Sequence, residues 1–298
     1  MSQANKSRHL LCVGIPNVDV AITNDSPILH WNGAGAPLTK GGMAWNVATH
    51  VVHLGGSASV YGPHGDDFLR ATNSISNVVI VPHCGPDFRD NLCLELFGLG
   101  EDSYTVYLPL HPETLGFVTI TDVIRASADA LGTTLNRENT LLYVAVTQPP
   151  YEMLDLPRRP DGFELVVSLS HVIKYWTPDV SREVLQIANL LIMNDTEFDL
   201  LQDHCGPASL DWFSGELRLL VITKGPNGVD VLQRNGRTTY ELPFKPVSSR
   251  GVFAEGDAFA GGLLFSYLEG KDIESCVLAG QRNALHHMLK NQRPACIV

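Results

Sequence analysis

The sequence predicts an α/β protein in which helices cover both faces of a mainly parallel sheet. Four continuous apolar runs in the second half of the chain read as strands, and helical stretches separate them. Strands that are buried on both faces lose the alternation of apolar and polar residues, as these runs do. A glycine-rich stretch at 251–262 then opens an apolar helix, and a last helix is expected over 274–290. The four runs are 141–146, 165–169, 190–193 and 219–223.

Length and composition are those of a soluble enzyme. The 298 residues fit one large domain over 1–298, and 44% of them are hydrophobic with a mean hydropathy of +0.03. A net charge of −11 and a pI of about 5.4 give no basic surface for nucleic acid. No apolar run approaches the roughly 18 residues that span a membrane, and the polar residues 1–9 do not resemble a signal peptide. Six cysteines without a C-x-x-C pair favour reduced thiols in the cytoplasm.

The first strand is expected over residues 10–15, before the turn Pro16-Asn17 and the residues Val18-Asp19-Val20. This order leaves Asn17 and Asp19 at the carboxyl end of the strand. Ligands of open α/β sheets bind at that edge, so both side chains are candidate ligand contacts. Asp19 can equally cap a turn, and its position alone does not decide between the two.

A small second sheet is expected from two separate segments. Residues 23–40 are rich in Gly, Pro and Asn and form either a long loop or a strand pair. Residues 92–97 and 104–108 read as a hairpin around the polar, glycine-bearing turn 98–102. Together these segments can cover a site. A second hairpin, at 230–233 and 238–242, has an Asn235-Gly236 turn.

Gly41 and Gly42 precede a helix that runs to His53. Glycines at this position let a ligand approach the backbone closely, and Asn46, one turn into the helix, can bind hydroxyl groups. A glycine pair before a helix is common, so this pattern has little weight alone.

Polar residues also follow the strands at 190–193 and 219–223. Asn194 and Glu197 have the oxygen ligands that suit hydrated Mg²⁺, and they equally match a helix capping box. The turn containing Thr223, Lys224 and Gly225, with Gly228, can contact nucleotide phosphates or form a tight turn. No G-x-x-x-x-G-K-[ST] spacing is present anywhere in the sequence.

Gly256 and Asp257 combine two functions at the start of one helix. Backbone N–H groups at a helix N-terminus attract phosphate, whereas a carboxylate beside them repels it unless it takes a proton from an attacking hydroxyl. The pair therefore indicates phosphoryl transfer to an alcohol. The alternative is a capped core helix whose small residues allow close packing.

Taken together, these segments resemble the PfkB/ribokinase family of carbohydrate and nucleoside kinases. Each motif is weak alone, but their order along nearly the whole chain is specific. The resemblance implies a Rossmann-like three-layer α/β/α sandwich with a small β-sheet lid, here about 23–40 and 92–108. The matching residues are Asn17, Asp19, Gly41-Gly42, Asn46, Leu54-Gly55, Gly62, Gly65-Asp66, Asn194, Glu197, Thr223-Lys224-Gly225, Gly228, Gly256-Asp257 and Gly261-Gly262.

The same resemblance implies a role for each candidate residue in an ATP-dependent kinase. Asp257 would be the general base, and the backbone N–H groups of residues 255–257 would form the anion hole. Asn194 and Glu197, the latter through water, would organise Mg²⁺. Substrate hydroxyls of a sugar, sugar acid or nucleoside would meet Asn17, Asp19, Gly41, Gly42 and Asn46. The nucleotide would meet Asn194, Thr223, Lys224, Gly225 and Gly228.

The chain departs from the family at the anion hole. Where the family commonly reads D-T-x-G-A-G-D, Ala254 replaces a glycine and Glu255 places a carboxylate beside the expected phosphate. Gly251 and Val252 replace the aspartate and threonine of the monovalent-cation site, which argues against cation activation. Two alternatives follow: an impaired member that binds sugar or nucleotide as a sensor or partner subunit, and a kinase with another phosphate donor. A homodimer through the lid is a further expectation by analogy.

Overall fold

The structure is a computed structural model of the chain. It describes residues 8–22, 38–71, 78–85, 87–88, 90–96, 104–108, 119–145, 162–243 and 254–291. The strands are β1 His9–Val13, β2 Asn17–Ile22, β3 Leu38–Gly41, β4 Ser57–His64, β5 Val79–His83, β6 Asn91–Leu96, β7 Tyr104–Leu108, β8 Thr140–Ala145, β9 Glu164–Ser168, β10 Leu190–Asn194, β11 Leu219–Thr223, β12 Val229–Gln233 and β13 Gly236–Tyr240. The helices are α1 Met43–His53, α2 Asp66–Arg70, α3 Ile120–Leu131, α4 Pro178–Ile187, α5 Asp195–Cys205, α6 Glu255–Leu268 and α7 Ile273–Asn291.

A nine-stranded sheet forms the centre of the fold, in the order β13-β12-β11-β10-β9-β8-β1-β4-β5. The seven strands from β11 to β5 are parallel, and β12 and β13 continue the sheet antiparallel. The four apolar runs predicted as strands are β8, β9, β10 and β11. Because the seven strands are parallel, their carboxyl ends lie along one edge, where ligands of open α/β sheets bind.

Helices cover both faces of this sheet, as predicted. Alternate residues of a strand point to opposite faces. Leu10 and Cys12 of β1 therefore pack in the core beneath α1, α6 and α7, whereas Leu11 and Val13 pack in the core with α3, α4 and α5. The three-layer α/β/α architecture is confirmed.

A separate four-stranded sheet has the order β3-β2-β6-β7. The predicted hairpin is its antiparallel pair β6 and β7, and β3 lies within the segment predicted at 23–40. The rest of that segment, residues 23–37, and the hairpin turn at 97–103 lie outside the described residues. The small second sheet is confirmed, and its role as a lid stays a prediction.

Two local predictions are wrong. The first strand, predicted over 10–15, ends at Val13, and Asn17 and Asp19 lie in β2 of the small sheet rather than in the turn at the end of β1. Pro16, which has no N–H to donate to a ladder, separates the two strands. In the second hairpin, Gln233 pairs with Gly236, so Arg234-Asn235 is the turn rather than Asn235-Gly236.

None of the helices within the described ranges is both long and apolar enough to cross a membrane.

Candidate active site

The N-terminus of α6 is open to an anion. Ala254 precedes the helix with φ 62° and ψ 22° and gives no side-chain hydrogen bond to it. The N–H groups of the first helical turn have no acceptor within a helix, so those of residues 255–257 need an outside partner. A Cβ added to Gly256 would meet no atom of the described residues within 4 Å. Among those residues, the start of α6 thus has room for a phosphate beside N–H groups that have no acceptor within the helix.

Asp257, in the same turn, is held by a neighbouring helix. The side-chain amide of Asn46 in α1 donates a hydrogen bond of 2.8 Å to Asp257 Oδ2. The two helices approach closely because Gly261 has no side chain: a Cβ there would lie 2.4 Å from His50 Cβ. The sequence-predicted residues Asn46 and Asp257, 211 positions apart, are therefore brought together.

The carboxyl group of Asp257 has the acidity of a base that works near neutral pH. Burial raises its pKa to about 7, and the charge of Glu255 adds to this, while the hydrogen bond from Asn46 opposes it. A general base is most effective when its pKa lies near the working pH. Near neutral pH the carboxyl group is therefore ionised in a fraction of the molecules. In those molecules it can accept a proton from a bound alcohol.

Asn194 and Glu197 form the complete capping box of α5. Asn194 Oδ1 accepts the Glu197 N–H at 2.8 Å, and Glu197 Oε2 accepts the Asn194 N–H at 2.9 Å. Glu197 is only 8% exposed. Burial raises its pKa to about 7, the charges of Asp257 and Asp195 add to this, and the Asn194 N–H opposes it. The charge of Asp257 thus acts on Glu197, which places α5 and α6 beside one site.

The acidic centre suits a hydrated cation better than a directly ligated one. Among the residues described, no three ligating side chains are grouped closely enough to hold a metal ion. Mg²⁺ keeps several waters and needs only one or two protein carboxylates. Burial is the main cause of the raised pKa values of Asp257 and Glu197. The charge of Glu255 adds to it at Asp257, and the charges of Asp257 and Asp195 add to it at Glu197. A nearby cation would offset this repulsion between carboxylates. The residues present therefore fit water-mediated Mg²⁺.

The predicted substrate residues lie together at the start of β2 and the end of β3. Asn17 pairs with Gly41 across the strands, and its amide donates a hydrogen bond to Asp19 Oδ1. A Cβ on Gly41 would lie 1.9 Å from Asp19 Oδ2, and a Cβ on Gly42 would lie 2.8 Å from Asn17 Oδ1. Only glycine leaves room for these two polar side chains, and Gly42 also has a positive φ of 97°.

Asn17 and Asp19 are linked to Asp257 through Gly42 and Asn46. Gly42 follows β3 directly and is the N-cap of α1, and its carbonyl accepts the Asn46 N–H at 2.9 Å. Asn91 of β6 pairs with Asn17 on its other side and is 5% exposed. Sequence reasoning missed Asn91, since only the pairing of β2 with β6 brings it here.

The residues predicted to contact the nucleotide lie beside Asn194, but the side chain of Lys224 already has a partner. Thr223 is its neighbour across β10 and β11. The Lys224 ammonium lies 3.0 Å from the fully buried carboxylate of Asp230, which also accepts hydrogen bonds from Arg237 and Thr239. These bonds outweigh burial and lower the pKa of Asp230. The charge of Lys224 is thus already compensated.

The turn after β11 retains its shape through its glycines. Gly225 and Gly228 have φ values of 52° and 87°, and the Lys224 N–H donates to the Gly228 carbonyl at 2.9 Å. A Cβ on Gly228 would lie 2.3 Å from the Tyr240 carbonyl oxygen. This turn can accordingly present backbone to a nucleotide, whereas a phosphate contact from Lys224 would require its bond to Asp230 to change.

Comparison with protein families agrees with this geometry. The family described as pfkB family carbohydrate kinase matches residues 160–286, which include Asn194, Glu197, Thr223 and Asp257. The resemblance to PfkB/ribokinase proteins is therefore confirmed by an independent comparison.

Among curated proteins, the chain is similar to kinases of nucleosides and of a sugar acid. It is 30% identical over 141 residues to a cytidine kinase of Thermococcus kodakarensis, covering 46% of this chain and 51% of that protein. It is 22% identical over 275 residues to a 5-dehydro-2-deoxygluconokinase of Photobacterium profundum, covering 82% and 78%. The match to the cytidine kinase thus spans about half of that relative's length.

Solved structures confirm the ribokinase-like fold. The nucleoside kinase of Methanocaldococcus jannaschii superposes with a TM-score of 0.71 at 17% identity, covering 93% of this chain and 90% of that one. The ribokinase of Thermotoga maritima gives 0.68 at 16% identity, covering 94% and 93%. A Burkholderia thailandensis nucleoside kinase in complex with inosine gives 0.65 at 20% identity, covering 96% and 92%.

Proposed function

We propose that this chain, with its PfkB resemblance and ribokinase-like fold, is an ATP-dependent kinase that phosphorylates a hydroxymethyl group of a nucleoside. The observation that carries the proposal is the hydrogen bond from Asn46 to Asp257 at the open N-terminus of α6. Through Asn46, it joins Asn17 and Asp19 of the small sheet to a carboxyl group with a pKa of about 7. The backbone N–H groups at the start of α6 lie in the same helical turn as that carboxyl group. Bound ATP, with Mg²⁺, would supply the phosphoryl group and neutralise its charge.

The residues have separate tasks in this reaction. Asn17, Asp19 and Asn46 bind acceptor hydroxyl groups and fix the reacting oxygen. Asp257 takes the proton of that hydroxyl as its oxygen forms a bond to the γ-phosphorus, and the bond from that phosphorus to the ADP oxygen breaks. The N–H groups of residues 255–257 stabilise the charge on the transferring phosphoryl group. Glu197 and Asn194 would hold the water shell of Mg²⁺.

The nucleoside is favoured over other acceptors by the relatives' names. The cytidine kinase, the M. jannaschii nucleoside kinase and the inosine complex all concern nucleosides. A sugar acid is the second candidate, because the 5-dehydro-2-deoxygluconokinase match extends over 82% of this chain. An impaired binder finds no support in these relatives, all of which carry kinase names.

We also propose that the protein is cytoplasmic and that two copies form a homodimer through the small sheet. The cysteines described, Cys12, Cys84, Cys93, Cys205 and Cys276, have free thiols, as reducing surroundings favour. β3 and β7 are the outer strands of the small sheet among the described residues, and a second copy would pair with one of these edges.

ATP consumption tests the proposed reaction. The panel contains pyrimidine and purine nucleosides, free ribose and other pentoses, hexoses and sugar acids, and Asp257→Asn is the control. We expect turnover of a nucleoside that falls at least a hundredfold in the control, in line with general base catalysis. Turnover of a sugar acid alone would establish the second candidate. Calorimetric binding of a nucleoside or sugar without turnover would contradict the kinase and favour the impaired binder.

A further inference from the structure

The helices α1 and α6 contact each other at two successive levels. The first level is the hydrogen bond from Asn46 to Asp257 in the candidate active site. The second level lies one turn further on, four positions along each helix, where a Cβ on Gly261 would lie 2.4 Å from His50 Cβ. Whatever fixes the second level therefore also fixes how the two helices align at the first.

Asn283 of α7 joins both helices at this second level. Its side-chain amide nitrogen donates to the Ala258 carbonyl of α6 at 2.7 Å and lies 3.1 Å from Nδ1 of His50 in α1. The helix α7 comes this close because Gly262 has no side chain: a Cβ there would lie 2.8 Å from Asn283 Cβ. One amide group thus connects the last helix to the two helices of the candidate active site.

The chemistry of the three groups fixes the direction of both hydrogen bonds. A carbonyl oxygen can only accept, so the atom of Asn283 that faces Ala258 is the NH₂ nitrogen and not the amide oxygen. That nitrogen offers its second proton to His50, whose Nδ1 has to be unprotonated to accept it. Burial lowers the pKa of His50 to about 4, and the charges of four neighbours add to this effect: His287, His53, Lys290 and His286. Near pH 7 the ring is therefore the neutral acceptor that the geometry requires.

We propose that Asn283 is a positioning residue that holds α1 and α6 in the alignment in which Asn46 meets Asp257. It acts through its two hydrogen bonds, so its effect falls on the alignment of the reacting groups, whereas the small sheet provides most of the contacts to the acceptor. A misplacement of about 1 Å caused far from the chemistry can cost on the order of a hundredfold in rate. The inference rests on the proposed function, in which Asp257 takes the proton of the acceptor hydroxyl.

The first test examines the contact and does not depend on turnover. Nitrogen NMR of the full chain, isotopically labelled at histidine, reports the protonation of each ring nitrogen at pH 7, and the His50 signals are those missing from His50→Asn. We expect Nδ1 of His50 to be unprotonated and its signal to shift in Asn283→Ala, because the hydrogen bond to it is lost. A protonated Nδ1, or a signal that Asn283→Ala leaves in place, would overturn the proposal.

The second test examines the role, with the acceptor that gives the fastest turnover. We expect kcat to fall at least about tenfold in Asn283→Ala and in His50→Leu, while KM for the acceptor changes less than roughly threefold. The double variant should be no slower than the slower single variant, because both changes remove the same link. His50→Asn should keep most of kcat, since its amide oxygen takes the place of Nδ1 and can accept from Asn283. His50→Leu also keeps the test valid if Asn283→Ala does not fold.

Tyr267→Phe is the matched control, because it removes a hydrogen bond near the other end of α6. The hydroxyl of Tyr267 donates to Glu164, which begins β9 at the edge of the sheet opposite the candidate active site. Urea unfolding should show lower stability in Tyr267→Phe and in Asn283→Ala, whereas kcat should fall only in Asn283→Ala. An equal fall of kcat in both, or an unchanged kcat in Asn283→Ala, would overturn the role of Asn283 alone. Absence of turnover in the unchanged protein would instead contradict the kinase, and this role with it.

Discussion

Ala254 is the one non-glycine residue with a positive φ among those that the structure describes. The left-handed conformation costs an L-residue roughly 1–2 kcal/mol, and glycine avoids this cost but loses more entropy on folding. The chain therefore keeps the backbone shape expected of a glycine-built anion hole, although an alanine occupies the position. We expect Ala254→Gly to stabilise the protein by about 0.5–1 kcal/mol in urea unfolding. Ala258→Gly, in the regular part of α6, is the control and should destabilise it by about 1 kcal/mol. A destabilising Ala254→Gly would show that the position is not strained.

Glu255 acts on Asp257 through its charge. Its charge adds to the effect of burial in raising the pKa of Asp257, so Glu255→Gln should lower that pKa and leave more of the Asp257 carboxyl ionised below pH 7. We expect the acidic limb of kcat/KM to move to lower pH and the rate at pH 6 to rise roughly two- to fivefold, within the tenfold that one pKa unit allows. The comparison is Glu269→Gln at the other end of α6, which should leave the profile unchanged. Superimposable profiles of Glu255→Gln and the unchanged protein would contradict the effect.

Local motifs were enough to single out the candidate site residues that the structure brings together, and their roles stay predictions. Asp257 beside free helix N–H groups and the Gly41-Gly42 pair are visible along the chain, and the structure brings both to one place through Asn46. Asn91 was missed, because an asparagine at the start of a strand has no local signature. Only the pairing of β2 with β6 brings Asn91 beside Asn17. The prediction for Lys224 was incomplete for the same reason, since Asp230 reaches it across the antiparallel pair β11 and β12.

At the scale of elements, α6 carries two kinds of glycine. Gly262 makes close packing possible: a Cβ there would lie 2.6 Å from the Ala279 carbonyl oxygen and 2.8 Å from Asn283 Cβ of α7. Gly256 has open space around it. We expect Gly262→Ala to destabilise the protein by about 2 kcal/mol or more through overpacking. Gly256→Ala should leave urea stability unchanged or up to about 1 kcal/mol higher, while kcat/KM falls because the methyl group takes the place of the phosphoryl group. Equal loss of stability in both variants would contradict this division.

Hydrophobic pattern was enough to predict the elements that lie in the core. Continuous apolar runs that alternate with helices, such as β11, predict the strands of a parallel sheet covered on both faces. The boundaries that were wrong lie where the chain changes sheets at Pro16 and where a two-residue turn can shift by one position at Asn235. In both places the pairing of strands decides the register, and neighbouring residues alone do not encode it.

At the scale of the whole molecule, two sets of buried or half-buried titratable groups have opposite effects on stability between pH 4 and pH 7. Burial lowers the pKa of His9 to about 4, and burial with the charges of neighbouring histidines and Lys290 does the same for His50. In that range the unfolded state binds more protons at these histidines, so their contribution to stability increases as pH rises. Asp257 and Glu197 have folded pKa values of about 7, above those of unfolded carboxylates. There the folded state binds more protons, and stability decreases as pH rises.

Replacing a member of one set should therefore reveal the pH dependence of stability that the other set causes. We expect the unchanged protein to show a nearly flat urea midpoint between about pH 4.5 and 6.5, because the two slopes offset each other. In Asp257→Asn the midpoint should rise with pH, giving a gain on the order of 2 kcal/mol at pH 8 that disappears towards pH 4. His50→Gln should give the reverse slope, and Asp129→Asn, on the exposed side of α3, serves as the control. If the Asp257→Asn curve runs parallel to that of the unchanged protein, Asp257 is not held at a raised pKa. If the gain appears, the group proposed to take the proton from the substrate also lowers the stability of the fold at the pH where it works.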